Sequence, residues 1–419
     1  MNKPNRHEIR RTAEFLVVRS FLFHPDDLSK PPMRVNPQFN HPPLATGESH
    51  ITRFTYRLVA VATIWACIAG AVAQEPDRLD RHNLLFYQDT RGALRPIKTK
   101  EDWQLRRAQI LRAMEVVMGE FPGDDRRVAP DVKVREEFDA GTYLRRLITY
   151  QSEPGSRTTA YLCIPKDVLA GTRSAPAVLC LHPTDRKVGH KVALGLGERQ
   201  GRAYGAELAE RGYITLAPSY PNLADYWPPL DRLGYVSGTM KAIWDNSRGL
   251  DLLDTLPYVL RTHGYGAIGH SLGGHNAIYT AAFEQRITVL ASSCGFDSYL
   301  DYKGGKEINW RFGRGWCQIR YMPRMSDYRG NLEAIPFDFH ELLAALAPRP
   351  LFVNAPLHDG NFHWQSVDRC VSAAQPVYKL FESDGNLVVS HPDCAHDFPV
   401  AMREQAYSLI DSVLRPDAP

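Results

Sequence analysis

Phosphate-cradling glycine loops, zinc-spaced cysteines, internal repeats and a marked excess of charge of either sign are all missing from this chain. The seven cysteines show no metal-ligand spacing, and the glycines of "GLGERQGRAYG" fit neither a dinucleotide nor a P-loop pattern. No metal and no cofactor are therefore expected. A formal charge of +3 on 419 residues leaves no electrostatic footprint for nucleic acid or an acidic membrane. With 44% hydrophobic and 23% charged residues the composition is globular, and a small-molecule or carbohydrate substrate fits it better than a polyanionic partner.

The first 73 residues read differently from the rest. "HPDDLSKPPMRVNPQFNHPPLATGESH" is proline-rich and polar, without a period that would build a core. In "RFTYRLVAVATIWACIAGAVAQEPD", Arg53 and Arg57 precede an apolar run from Leu58 and the small-residue site Ala71-Val72-Ala73. That order predicts a signal peptide cleaved after Ala73, with an uncleaved amino-terminal anchor as the alternative and Met33 as an alternative start. The mature chain, 74–419, is then expected to be secreted or periplasmic, with no stable membrane insertion. In an oxidising compartment, Cys163, Cys180 and Cys294 lie in apolar runs and read as buried thiols, while Cys370 and Cys394 are a conceivable pair. Oligomeric state has no signature here.

"KEDWQLRRAQILRAMEVVMGEFPG" carries apolar residues at helical spacing, Leu105, Ile110, Leu111, Met114 and Val117 among them, and stops at Pro122-Gly123. "TYLRRLITYQS" and "RTTAYLCIPKD" alternate as strands around Glu153-Pro154-Gly155, an antiparallel edge hairpin. From there short apolar runs ("PAVLCLHP", "YITLAPSYP", "YGAIGHS", "ITVLASSCGF", "PLFVNAP", "LVVSHPD") alternate with helical segments. Strands apolar on both faces with helical crossovers imply a mostly parallel, doubly wound α/β sheet in a single domain. The stretch 299–340 breaks the alternation; its aromatic content predicts a cap insertion over the sheet edge.

Residues just after such strands are where chemistry is expected. Ser271, in "YGAIGHSLGGHN", sits between strand and helix with Gly269 and Gly273 flanking it, the context of a nucleophile elbow. Asp359 follows a later strand in "NAPLHDGNF", and "VVSHPDCAHDFP" offers His391 and His396; His396 is favoured because it lies in the loop before the last helix. Asp297 is the rival acid. A serine hydroxyl needs a base, and the base needs an acid to orient it, so the order Ser271, Asp359, His396 describes a complete relay. Oxyanion donors are expected from the N–H of Leu272 and of Thr184, Pro183 having none, with His182 bracing that loop.

On "LCLHPT", "GHSLGGHN", "APRPLFVNAPLHD" and "CAHDFP", the chain resembles the alpha/beta-hydrolase superfamily over roughly residues 100–415, and within it secreted bacterial hydrolases of the dienelactone hydrolase and acetyl xylan esterase type. The resemblance implies Ser271 as nucleophile, Asp359 as acid and His396 as base. Serine at position 271, where dienelactone hydrolases have cysteine, and the His-Pro-Thr oxyanion loop are departures from the pattern. The expected activity is a serine carboxylesterase working through an acyl-enzyme, with acetylated or otherwise esterified carbohydrate as first substrate class and Trp310 and Trp316 stacking on sugar rings. A prolyl-oligopeptidase-like peptidase and a non-catalytic binding module on the same scaffold are the alternatives.

Overall fold

The Thr99 hydroxyl accepts from the N–H of Asp102 while the Asp102 carboxylate accepts from the N–H of Thr99, and this reciprocal cap starts the first long helix, α1 (Lys100–Met118). The computed structural model describes residues 78–199 and 201–416; the leader and the Ala73 cleavage site lie outside them. The helix forms where the spacing predicts it, but its buried face is Trp103, Arg106, Ile110, Met114 and Val117. Leu105 is 51% exposed, and Arg106 is buried in its place because Glu341 lies 3.4 Å away to balance its charge.

The main sheet is built from β1 (Lys133–Asp139), β2 (Tyr143–Glu153), β3 (Ser156–Pro165), β4 (Ala175–Leu181), β5 (Ile214–Pro218), β6 (Tyr265–His270), β7 (Ile287–Ser293), β8 (Leu351–Asn354) and β9 (Leu387–Ser390). Across the sheet the order is β9-β8-β7-β6-β4-β5-β3-β2-β1; a two-residue strand, Val259–Leu260, pairs with the start of β4. The six strands from β4 onward pair in parallel, and β3, β2 and β1 continue antiparallel. The hairpin expected around Pro154-Gly155 is β2–β3, but the edge lies one strand further out. All seven residues of β1 are exposed, and its five charged side chains protect that edge from pairing with another chain.

Alternate residues of one strand feed opposite cores. On β4, Ala177, Leu179 and Leu181 join the cluster under α1, α3 (Gly238–Asp254), α4 (Leu272–Phe283), α5 (Phe339–Ala345) and α6 (Trp364–Leu380). Val178 and Cys180 face α2 (Tyr204–Glu210) and α7 (Val400–Leu414). This two-sided burial is why the strands read as continuous apolar runs. The six cysteines among the described residues are free: Cys370 is buried against His340, so the conceivable bridge to Cys394 is not formed. Among the described residues no helix is long and apolar enough to cross a membrane.

The segment expected to be a cap is a chain of short 3-10 turns from Tyr302–Gly305 to Leu332–Ala334, returning to the body through α5. Two backbone donors at the start of α3 hold it. Gly238 N–H donates to Ile319 O at 2.9 Å and Thr239 N–H to Tyr321 O at 3.2 Å, and a Cβ at position 238 would lie 2.3 Å from the Arg320 carbonyl oxygen.

One turn further along α3, Lys241 is fully buried. Its ammonium lies 2.5 Å from Asp245, 2.8 Å from Glu153 at the hairpin turn and 3.1 Å from the Ser152 hydroxyl. Burial works against the charge, and the two carboxylates outweigh it, holding the Lys241 ammonium above its ordinary range. Replacing Lys241 by alanine leaves the buried Asp245 without its cation and Glu153 with Arg126 alone, so a loss of about 3–5 kcal/mol is expected in calorimetric unfolding. An unchanged melting temperature would show that water replaces the ammonium in solution.

Candidate active site

Ser271 occupies the single residue between β6 and α4, at φ 54° and ψ −121°, a conformation that L side chains rarely adopt. The glycines around it are required by contact. A Cβ on Gly273 would lie 1.9 Å from the Leu181 carbonyl oxygen at the end of β4, and one on Gly269 would lie 2.2 Å from the carbonyl carbon of Gly273. Ser271 N–H donates to Ser293 O at 2.7 Å, tying the turn to β7.

The serine opens onto a cavity of about 380 Å³ lined by Thr184, Arg199, Ser271, Leu272, Tyr302, Gly315, Trp316, Gln318, Tyr321, Asn361, Phe362 and His396. Leu272 begins α4, so its N–H has no partner within the helix. The N–H of Thr184 makes no hydrogen bond among the described residues, and its hydroxyl is 3.0 Å from the Tyr321 hydroxyl. Both expected oxyanion donors thus border the same cavity as the serine. His182 braces the Thr184 loop: its Nε2 accepts from Tyr220 N–H at 3.0 Å, which places the proton on Nδ1, 2.8 Å from Pro183 O. Burial pushes this imidazole down to about 4, so it stays neutral at working pH.

His396 Nδ1 is 2.7 Å from Asp359 Oδ2. The other carboxylate oxygen of Asp359 accepts from Asn361 N–H at 2.7 Å and Phe362 N–H at 3.2 Å. Burial opposes ionisation of Asp359, but the His396 hydrogen bond and charge and the two N–H donors overcome it and hold its carboxyl below the usual carboxylate range. The acid is ionised, and the histidine is fixed with its other nitrogen free to face the cavity.

The remaining candidates fall elsewhere. His391 spans Ala355 O and Asp368 at 2.7 and 3.0 Å, a structural pairing outside the cavity lining. Asp297 makes no hydrogen bond or ion pair with His396; one of its oxygens accepts from His363 N–H at 3.2 Å and the other is buried without a hydrogen-bond partner. Burial, with Asp301, Asp338 and Asp359 nearby, pushes it up to about 8 against the His363 hydrogen bond. Trp316 lines the cavity, stacked on His275 at 4.3 Å. Trp310 corrects the sequence-based expectation: it is 0% exposed and packs edge-on against Tyr299 and Tyr302, where no sugar can reach its face.

Several residues at the site carry no signal in the sequence. Asn354 Nδ2 donates to Asp397 O at 2.9 Å and to Ser293 Oγ at 2.8 Å, Cys294 Sγ lies 3.3 Å from the same Asp397 oxygen, and Arg202 pairs with the Asp397 carboxylate and reaches His396 O at 3.3 Å. Together they fix the loop that carries His396. Cys294, Asp359 and His396 have ligand atoms within 4.8 Å of one another, the arrangement nearest to a metal site among the described residues. Each is engaged in the hydrogen bonds just described.

A family model described as "Glucuronyl esterase, fungi" matches residues 234–382. The 4-O-methyl-glucuronoyl methylesterase 1 of Wolfiporia cocos is 24% identical over 337 residues, 76% of this chain and 78% of that one. Among solved structures, a glucuronoyl esterase from Solibacter usitatus superposes with a TM-score of 0.61 at 20% identity, over 79% of this chain and 96% of that one. A structure described as an acetyl xylan esterase, from Bacteroides fragilis, gives 0.54 at 17% identity over 85% and 90%. The chain has the alpha/beta-hydrolase fold and is a serine-type carboxylic ester hydrolase.

Asp297→Asn separates the two acids. With a folded value near 8 against 3.8 for an ordinary aspartate, the folded chain holds a proton that the unfolded chain releases across that window. Stability is therefore lost as pH rises through it, and the amide removes the loss. The variant is expected to keep ester turnover and to melt higher than the parent by a margin that grows from pH 5 to pH 9. Loss of turnover instead would make Asp297 the partner of His396.

Proposed function

We propose that this chain is a secreted serine carboxylesterase that cleaves a carbohydrate ester through an acyl-enzyme on Ser271, with His396 as base and Asp359 orienting it. The observation that carries the reading is the 2.7 Å hydrogen bond from His396 Nδ1 to a buried, ionised Asp359, at the edge of a cavity that also exposes the strained Ser271. As Ser271 Oγ attacks the ester carbonyl, its proton passes to His396 Nε2. The oxyanion is received by the N–H groups of Leu272 and Thr184. Collapse breaks the bond to the alcohol, which leaves with the proton from His396. Water, deprotonated by the same imidazole, then attacks the acyl-serine and releases the acid.

The acyl group we favour is a uronoyl rather than an acetyl group. A relative matched over three quarters of the chain is named for glucuronoyl esters, and a cavity of about 380 Å³ is far larger than an acetyl group fills. Its wall of Tyr302, Trp316 and Phe362 offers faces for a sugar ring, and Gln318 and Asn361 offer hydrogen bonds to hydroxyls. Export rests on the signal reading before Ala73.

Fluorophosphonate labelling tests the nucleophile: the parent is expected to label and Ser271→Ala is not. His396→Ala and Asp359→Asn should lower kcat by about 10⁴-fold or more while the fold is kept. In a panel of benzyl glucuronate, p-nitrophenyl acetate, acetylated xylan and prolyl peptides, the glucuronate ester should give the highest kcat/KM. Turnover of acetyl esters alone would overturn the uronoyl assignment, and turnover of peptides alone would overturn the esterase.

A further inference from the structure

The small net charge of the chain conceals an uneven distribution. Between Lys303 and Arg329 the cap carries seven lysines and arginines against Glu307 and Asp327. Between Asp185 and Arg202, in the loop after β4, there are five against Asp185 and Glu198. These two segments face each other across the cavity: Arg199 lines it from one side, and Gly315, Trp316, Gln318 and Tyr321 line it from the other.

Most of these cations lack a counter-charge. In the cap segment Arg329 pairs with Glu307 at 3.2 Å, and in the loop Arg202 is taken up by Asp397. Lys303 donates only to neutral oxygens, those of Asn361 and Gly360. Arg186, Lys187, Arg199, Lys306, Arg311 and Arg314 are exposed, and among the described residues none forms an ion pair with a carboxylate, although Arg199 stands near enough to Asp185 to help lower its carboxyl. The charge of Arg186, and that of Arg320 beside the cap, reaches the site. Burial raises the Tyr321 phenol, while the Thr184 hydroxyl and the guanidinium groups of Arg320 and Arg186 pull it back. No carboxylate stands among the residues that line the cavity.

An ester of a uronic acid is neutral at the carbonyl that reacts, so it makes no demand for this much positive charge. A neutral xylan or an acetylated sugar makes none either. What the rim does fit is negative charge carried on either side of the cleaved bond, attracted over several ångströms and concentrated at the mouth. We infer that the site draws its ester from an anionic carbohydrate polymer, whose free uronate carboxylates on neighbouring sugars lie along the rim of Arg186, Arg199, Arg311 and Arg314. This rests on the uronoyl-ester reading above and adds the polymer to it.

The test compares one ester in two settings, the methyl ester of glucuronic acid as a single sugar and the same ester within a partially methyl-esterified oligoglucuronate. Raising salt from about 0.1 M to about 1 M shortens the screening length from about 10 Å to about 3 Å. kcat/KM on the oligomer is expected to fall on the order of tenfold, through KM, while the single-sugar ester is unaffected. The double variant Arg311→Gln/Arg314→Gln should reproduce that fall at low salt and leave the single-sugar rate unchanged, which also reports that it folds. Equal salt response of both substrates, or a double variant as fast as the parent on the oligomer, would overturn the inference. Failure to hydrolyse either ester would instead overturn the uronoyl reading beneath it.

Discussion

Two stretches of main chain meet under Ser271 with no room for a side chain between them, and the geometry of the site follows from that contact. Gly273 lies against the last carbonyl of β4 and Gly269 against Gly273 itself. The loop that follows β4 carries Thr184, and the helix that begins at Leu272 carries the other candidate donor, so the distance between the two donors is set by this approach. The backbone of Ser271 stores strain of about 1–3 kcal/mol. It persists because β6 is buried on both faces and because the serine N–H is held by Ser293 O.

The histidine side is constructed differently. His396 lies in a loop without regular structure, and its position depends on side chains at the ends of neighbouring strands. Asn354 is the common element, since one amide group donates both to Asp397 O and to Ser293 Oγ, and Ser293 O receives the serine turn. The same Ser293 hydroxyl is hydrogen-bonded to His270 Nδ1 at 2.9 Å. A short buried polar chain thus runs from the residue before Ser271 to the residue after His396. Its members sit at strand ends, where the last ladder bonds stop and side chains take over the pairing.

How far the sequence could be read depended on whether a feature left a local pattern. The six parallel strands and their helices were legible because two-faced burial makes continuous apolar runs; Ser271 and Asp359 stood out as candidates because each follows such a run, and His396 because it lies in the loop before the last helix. The outer strand β1 was not, since an edge exposed on both sides needs no apolar alternation. Lys241 was hidden because a lysine four residues before an aspartate on a helix reads as a solvated pair, and only the hairpin turn folding back with Glu153 buries it. Asn354 and Cys294 look like ordinary strand termini. Trp310 was misjudged for the opposite reason: in a segment without period, aromatic content marks a cap, but does not say which rings face outward.

The attachment of the cap to α3 has a further consequence. The donors are the peptide groups of Gly238 and Thr239 and the acceptors are the peptide oxygens of Ile319 and Tyr321, so the clasp reads conformation and is blind to side-chain identity. Only glycine at 238 is demanded, by the proximity of Arg320 O. Residues on the outer surface of that lid are free to drift in size and charge while the hinge line stays put, which lets one hydrolytic frame be refitted to different polymers without disturbing its machinery.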